Sequence, residues 1–267
     1  MTPSLRNRKG FAASSLIGIL GGLIGLGGAE FRLPVLVGMF KLPTLEAIVL
    51  NKALSLVVVT AALIFRAKAI PLDQLGAHLD VVINLLAGSL VGAWWAAGHA
   101  MTMSRTWLNR IILVLLIGLS LVMLSEAFFG VSGSGIPLFQ SRILQVGTGL
   151  VAGFGIGTVA ALLGVAGGEL LIPTIVLLFG LDIKLAGSLS LTVSLPTMIA
   201  GFARYSQSNA FAVLQQEASL FRWMAVGSIL GSAVGGLLLG LVPTHLLMIL
   251  LGVILLISAI KTFQHVH

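Results

Sequence analysis

The chain has 267 residues, of which 58% are hydrophobic and only 9% are charged, with a formal net charge of +7. Soluble domains carry about 25% charged residues, so a chain this poor in charge could not cover its surface in water. A soluble globular fold is therefore excluded. We assign the basic excess to the flanks of membrane segments rather than to nucleic-acid binding.

Apolar segments long enough to cross a bilayer recur along the whole sequence. A hydrocarbon core of about 30 Å needs roughly 20 mostly apolar residues. The first segment follows a basic stretch, as in a signal peptide, but lacks a clean cleavage site, and the later segments cannot be signals. In chain order, the predicted segments are 11–40, 44–66, 78–98, 106–128, 147–179, 183–205, 221–241 and 245–263.

The sequence contains an internal repeat with a shift of 139 residues and no gap. The segment Gly25–Pro34 aligns with Gly164–Pro173, and each copy carries a glycine cluster, a glutamate and a proline at the same spacing. Between residues 18–66 and 157–205, 14 of 49 positions are identical. We predict one membrane domain, 1–267, with repeat units at 11–130 and 141–267.

The leading segment of each unit is too long for one straight span and has a glycine cluster near its middle. Glycine weakens a helix, and Pro34 or Pro173 removes a backbone donor. The fold prediction is an all-α integral membrane protein of about eight transmembrane helices, in two tandem four-helix repeats. The first helix of each repeat is predicted to break at its glycine cluster.

Two topologies remain open at this stage. If each leading segment crosses the membrane once, the units are parallel; if each is a re-entrant hairpin, the units are inverted. The count of basic residues on the cytoplasmic side favours the first arrangement by a single residue, which does not decide between them.

The two glycine clusters are the first candidate binding elements. Broken helices at matching positions of two repeats are typical of transporter binding sites, and their half-helix N-termini attract anions. Close helix packing is the alternative for glycines spaced four apart, and we favour it for Gly18/Gly22, Gly88/Gly92, Gly227/Gly231 and Gly231/Gly235. The glycines predicted to line a substrate path are Gly25, Gly27, Gly28, Gly164, Gly167 and Gly168.

Four charged residues lie inside the predicted membrane region. Glu30 and Glu169 occupy the same repeat position, whereas Arg32 and Lys52 match leucines in the second unit. Buried charges in membranes are costly and usually face a cavity with partners. We hypothesise that a glutamate pairs with one cation and leaves the other to attract an anion. A structural ion-pair set that clips the halves together is the alternative.

Polar side chains in the second segment of each unit are the remaining candidates. They are Asn51 and Ser55 in the first unit and Ser190 and Ser194 in the second, where Ser55 matches Ser194. Such groups can coordinate oxyanions, but hydroxyls can also bond back to their own helix.

The repeated glycine cluster with its proline, Ala47 and Ala186-Gly187-Ser188 after it, and the apolar segments resemble the TauE/SafE family of sulfite-exporter-like permeases. The resemblance implies export or uptake of small sulfur-containing anions. Two departures from the family pattern fall where substrate would bind. Ala29-Glu30 and Gly168-Glu169 stand where the family has a third glycine followed by a bulky apolar residue. Asn51-Lys52 stands where the family has a threonine-serine pair.

The sequence thus predicts a permease for a small anion such as sulfite, a sulfonate or another sulfur oxyanion, in a cell membrane (inner or plasma). We expect no enzymatic activity, cofactor, metal site or nucleic-acid partner; the partners are the lipid bilayer and the solute, and homo-oligomerisation is left open. A non-transporting scaffold or accessory subunit is the alternative. Cation or metal transport through the paired glutamates is less favoured, because Arg32 and Lys52 lie beside them.

Overall fold

The computed structural model describes residues 3–99, ten residues between 113 and 128, and residues 137–163, 167–205 and 212–264. Every regular element in these ranges is a helix, which confirms the all-α class. The helices are α1 (Pro3–Leu20), α2 (Ala29–Pro34), α3 (Thr44–Arg66), α4 (Leu72–Ala77), α5 (Leu79–His99), α6 (Arg142–Leu163), α7 (Gly168–Phe179), α8 (Ile183–Tyr205), α9 (Val213–Gln216), α10 (Ala218–Leu238) and α11 (Thr244–Gln264).

Five helices in the described ranges are long and apolar enough to cross a membrane. They belong to α3, α5, α6, α8 and α10, and the spans in α3 and α8 are the most buried, at 61% each. Large apolar side chains such as Ile143 and Val151 lie on the outer surface, where lipid would contact them. The predicted segment 106–128 falls mostly outside the described residues, so the number of eight stays a prediction.

The first leading segment is interrupted at its glycine cluster, as predicted. α1 continues as a π-helical turn, Gly21–Gly25, and three non-helical residues separate this turn from α2. Gly28, which precedes α2, has a φ of +67°, a left-handed conformation that suits glycine. Pro34 is the last residue of α2, so the glycines rather than the proline make the break.

After this break the chain reverses direction. α2 continues as a second π-helical turn, Val35–Met39. The next residue, Phe40, has its ring 5.8 Å from the guanidinium carbon of Arg6, near the start of α1. The leading segment therefore returns to the side of the protein on which it began.

The second leading segment also turns back. α6 ends at Leu163 and α7 begins after Gly167, whose φ is +75°. The backbone N–H of Leu138, just before α6, donates to the carbonyl of Leu177 near the end of α7, at 3.0 Å. Pro173 lies inside α7, which begins directly after Gly167, so the proline does not interrupt the segment.

Glycine contacts align α1 with α10. A side chain on Gly18 would meet the backbone of Ser228, and one on Gly235 would meet the backbone of Ile19 and Leu23. Because positions rise together along both helices, α1 and α10 run parallel. The backbones approach too closely for larger residues, which confirms the packing role predicted for Gly18, Gly22, Gly227, Gly231 and Gly235.

The pair of α5 and α6 is built in the same way. A Cβ on Gly88 would meet the carbonyl of Leu150, and one on Gly92 that of Phe154. On α6, Gly157 lies against the backbone of Ser89. These helices are also parallel, and the predicted packing of Gly88 and Gly92 is confirmed.

Gly231 provides a test of this packing. In Gly231→Ala the new methyl would lie 2.9 Å from the backbone N of Ile19 and closer still to the carbonyl oxygen of Ser15. Overpacking of this kind costs about 1–3 kcal/mol. We expect a lower thermal unfolding midpoint in detergent than for wild type. Gly155→Ala is the control, since nothing lies within 4 Å of its Cβ; equal midpoints for both variants would contradict the packing role.

The reversal of the first segment can be tested by cysteine labelling, because the chain has no native cysteine. We expect Ser4→Cys and Lys41→Cys to react with an impermeant thiol reagent from the same side of sealed vesicles, and Lys68→Cys from the other side. A segment that crossed once would instead place residue 4 with residue 68.

Candidate functional site

A buried polar network ties α2 to α3. Arg32 Nη1 donates to Ser55 Oγ at 3.0 Å and to Asn51 Oδ1 at 3.4 Å. Asn51 Nδ2 in turn donates to the carbonyl oxygen of Ala29, at the first residue of α2, at 3.0 Å. Three of the predicted site residues thus lie together, and they form hydrogen bonds with one another and with the backbone beside the break.

Other predicted charged residues lie inside the protein as well. Lys52 on α3 is 4% exposed and Glu169 on α7 is 6% exposed. Glu30 is in α2, but its side chain is outside the described part. Charged groups held this deep require polar surroundings, because isolated charge in a membrane interior is costly.

The two interrupted segments meet near their breaks. A Cβ on Gly168, the first residue of α7, would lie 3.3 Å from the carbonyl oxygen of Gly25 and 3.4 Å from Ser190 Oγ. Gly25 has a φ of +99° and packs directly on the backbone of Gly187 in α8. Gly25 and Gly168 therefore bring the two leading segments together at one place in the interior.

Ser190 is the least satisfied of the predicted polar residues in the described chain. Its side chain is fully buried, and its Oγ makes no hydrogen bond with any described residue. Its neighbour Thr192 bonds back to the Ser188 carbonyl at 2.9 Å. Ser194 is buried on the same helix.

Three of the four remaining predicted glycines lie in the part of the chain that the structure describes. Gly27 and Gly28 lie in the three-residue loop before α2, and Gly167 directly precedes α7. Gly164 lies outside the described residues.

Arg66 is a central residue that sequence reasoning missed, since we assigned it to a membrane flank. It is 1% exposed. Its Nη1 donates to the carbonyls of Gly22 and Leu23 at 2.9 and 2.8 Å, where the first helix ends. Its Nε donates to Ser188 Oγ at 3.0 Å and its Nη2 to the Lys184 carbonyl at 2.6 Å. Arg66 therefore joins α3, the end of the first half-helix and α8.

A signal for this role exists in the sequence, although it is indirect. The last carbonyls of any helix lack intrahelical partners, so a break inside a membrane requires donors nearby. Gly187 leaves space for the guanidinium, since a Cβ there would lie 2.6 Å from Arg66 Nη2. The sequence signal consists of an arginine at the end of one segment, which supplies the donors, and a glycine near the start of another, which leaves room for the guanidinium.

A surface cleft of about 200 Å³ lies apart from these residues. It is formed where α5 and α6 begin, and Asp80, Asn84 and Arg142 are among its lining residues. None of the predicted site residues lines this cleft.

Arg66→Ala should strongly destabilise the protein, because it leaves one buried and two partly buried carbonyls without their donor. Hydrogen bonds from a charged group contribute about 1.5–3 kcal/mol each. We expect little monodisperse protein on size exclusion in detergent, and a partial recovery for Arg66→Lys, which can replace only some of the bonds. Exposed Lys68→Ala is the control. Normal yield and thermal stability for Arg66→Ala would contradict this role.

Comparison with known proteins supports the resemblance noted from the motifs. The family described as Sulfite exporter TauE/SafE matches residues 150–266. No curated protein and no solved structure matches the chain. The matched part includes Gly167, Gly168, Glu169 and the helices from α7 to α11. Residues 150–266 are therefore similar to the TauE/SafE family of sulfite exporters, a family of membrane transporters.

Proposed function

We propose that the protein is a permease for a small anion, with sulfite, sulfonates and related sulfur oxyanions as the substrate class. The observation that carries the proposal is the approach of Gly168 to Gly25, which brings the two helix breaks together in the interior. Buried Arg32 and Lys52 supply positive charge to this region. The proposed substrate path is lined by the glycines of both breaks, Glu30, Glu169, Arg32, Asn51, Lys52, Ser55, Ser190 and Ser194.

The chain is further proposed to consist of two repeat units of opposite orientation. α3 and α8, like α5 and α10, begin and end 139 residues apart. Gly28 and Gly167 are both left-handed, and so are Lys41 and Gly180 at another matching pair of positions. Such matched irregularities support a common unit, because an irregular backbone is costly and specific.

Helix directions support the inverted arrangement. Arg66, the last residue of α3, binds the carbonyls at the end of the first half-helix, so α3 and α1 point the same way. The turn after Arg66 sends α5 back, and α6 runs parallel to α5. The leading helices α1 and α6 are therefore opposed. Inverted repeats with discontinuous helices place substrate near the middle of the bilayer in known transporter folds.

The alternative of a non-transporting scaffold has one observation in its favour. Arg32, Asn51 and Ser55 bond to one another and to the backbone, as a purely structural network would. Cation transport through the glutamates receives less support, because two cationic side chains are buried in the same region.

Transport by purified protein in proteoliposomes tests these functions against each other. We expect uptake of labelled sulfite or a sulfonate by the wild-type protein. The rate of uptake should fall at least about tenfold in Lys52→Ala, since this variant removes a buried positive charge from the proposed anion path. The double variant that also carries Arg32→Ala should lose flux entirely. Lys68→Ala is the exposed control, with wild-type flux.

The outcomes separate the hypotheses. Full flux in the double variant would rule out the anion mechanism. No flux for any small ion in wild type would favour the scaffold. If Lys52→Ala loses stability and flux to the same degree, Lys52 is a structural residue.

A further inference from the structure

We propose that the anion is held in the second repeat unit only, by Ser190 Oγ and the backbone N–H of Gly168 at the start of α7. The corresponding position of the first unit is filled by the protein's own side chains. The ligand class is a single monovalent oxyanion. This inference rests on the proposed permease function and specifies its binding site.

The second unit has the parts of an anion site. α7 is 12 residues long, and the N–H groups of Leu170 and Leu171 both donate to the Gly167 carbonyl. The N–H of Gly168, the first residue of the helix, is the group that would face the anion. Ser190 Oγ, fully buried and without a hydrogen bond in the described chain, lies 3.4 Å from the position of a Cβ on Gly168. The hydroxyl thus faces the start of α7, where an oxyanion would accept from both.

The matching place in the first unit carries larger residues that already bond to one another. Ala29 stands where the second unit has Gly168, and Asn51 stands where it has Ser190. Asn51 Nδ2 donates to the Ala29 carbonyl, and its Oδ1 accepts from Arg32. The first unit thus has an added Cβ, a longer side chain and a guanidinium at positions where the second unit has glycine, serine and leucine.

The charge of the region favours a monovalent ligand. Glu30 and Glu169 offset two of the three cations Arg32, Lys52 and Arg66, which leaves a formal charge of +1. One helix N-terminus adds roughly half a positive charge. Together these favour one negative charge, whereas a dianion would keep part of its charge uncompensated away from water.

Two variants test the site, each with a matched control. Ser190→Ala removes the hydroxyl. Gly168→Ala places a methyl where the anion would sit, at a residue that does not have a positive φ. The controls are Thr192→Ala, a back-bonded hydroxyl on the same helix, and Gly155→Ala, whose Cβ meets nothing within 4 Å.

Kinetics are measured with the full-length protein in proteoliposomes, using labelled sulfite in mildly acidic buffer, where the hydrogensulfite monoanion predominates. We expect KM to rise about tenfold or more in Ser190→Ala, as for a lost hydrogen bond to a charged group. Gly168→Ala should raise KM at least as much. Both controls should keep the wild-type KM, and Ser190→Ala should keep the wild-type thermal midpoint. Labelled sulfate should enter far more slowly than sulfite.

Failure of this inference is distinguishable from failure of the permease function. If wild type carries neither sulfite, sulfonate nor chloride, the function is wrong and the site falls with it. If wild type carries sulfite but KM stays within about twofold in Ser190→Ala, the site is wrong and the permease stands. A raised KM in Asn51→Ala alone would move the anion to the first unit. Equal sulfate and sulfite rates would overturn the monovalent class. If Gly168→Ala does not fold, the KM of Ser190→Ala alone decides whether the proposed site is correct.

Discussion

A bilayer interior offers no water to backbone groups, so every N–H and C=O freed by a broken helix must find a partner inside the protein. This constraint explains why buried polar residues such as Arg66 lie beside the first break. The end of the first half-helix exposes carbonyls, and Arg66 donates to two of them. Asn51 in turn ties α3 to the start of α2 by donating to the Ala29 carbonyl. Without such donors, an interruption at this depth would be unstable.

The side chains at matching positions around the two breaks differ, so polar and charged groups are unevenly distributed between them. The first break is surrounded by Arg32, Asn51 and Ser55, which bond to one another and to the backbone. The second has leucines in place of Arg32 and Lys52 and a serine in place of Asn51. The smaller residues leave Ser190 without a hydrogen bond in the described part of the chain. In the proposed repeat, the two copies would thus share one backbone geometry, while their side chains differ in the way that the proposed anion site requires.

The sequence predicted the helical class, the breaks at the glycines and the tight glycine packing, because each depends on local residue chemistry. The reversal of the leading segments was left open, since basic residues at helix ends are nearly as numerous on either side in both topologies. Arg66 was misassigned for a related reason: a cation at a segment end is usually a flank. Its burial depends on Gly187, 121 positions further along the chain, and on a break in another segment. Such contacts cannot be inferred from periodicity.

The glycine contacts also limit how the protein can move. α1 of the first proposed unit packs on α10 of the second, and α5 of the first on α6 of the second, each through backbone contacts that leave no room for a side chain. Rocking one unit against the other would have to separate both helix pairs. Their contact is direct backbone packing, which is sensitive to displacements of less than one methyl group. The half-helices α2 and α7 lie outside these two helix pairs, although the first break is itself held by the contact of Gly25 with the Gly187 backbone. We therefore expect a path to the proposed site to open through α2 and α7 rather than through relative motion of the two proposed units.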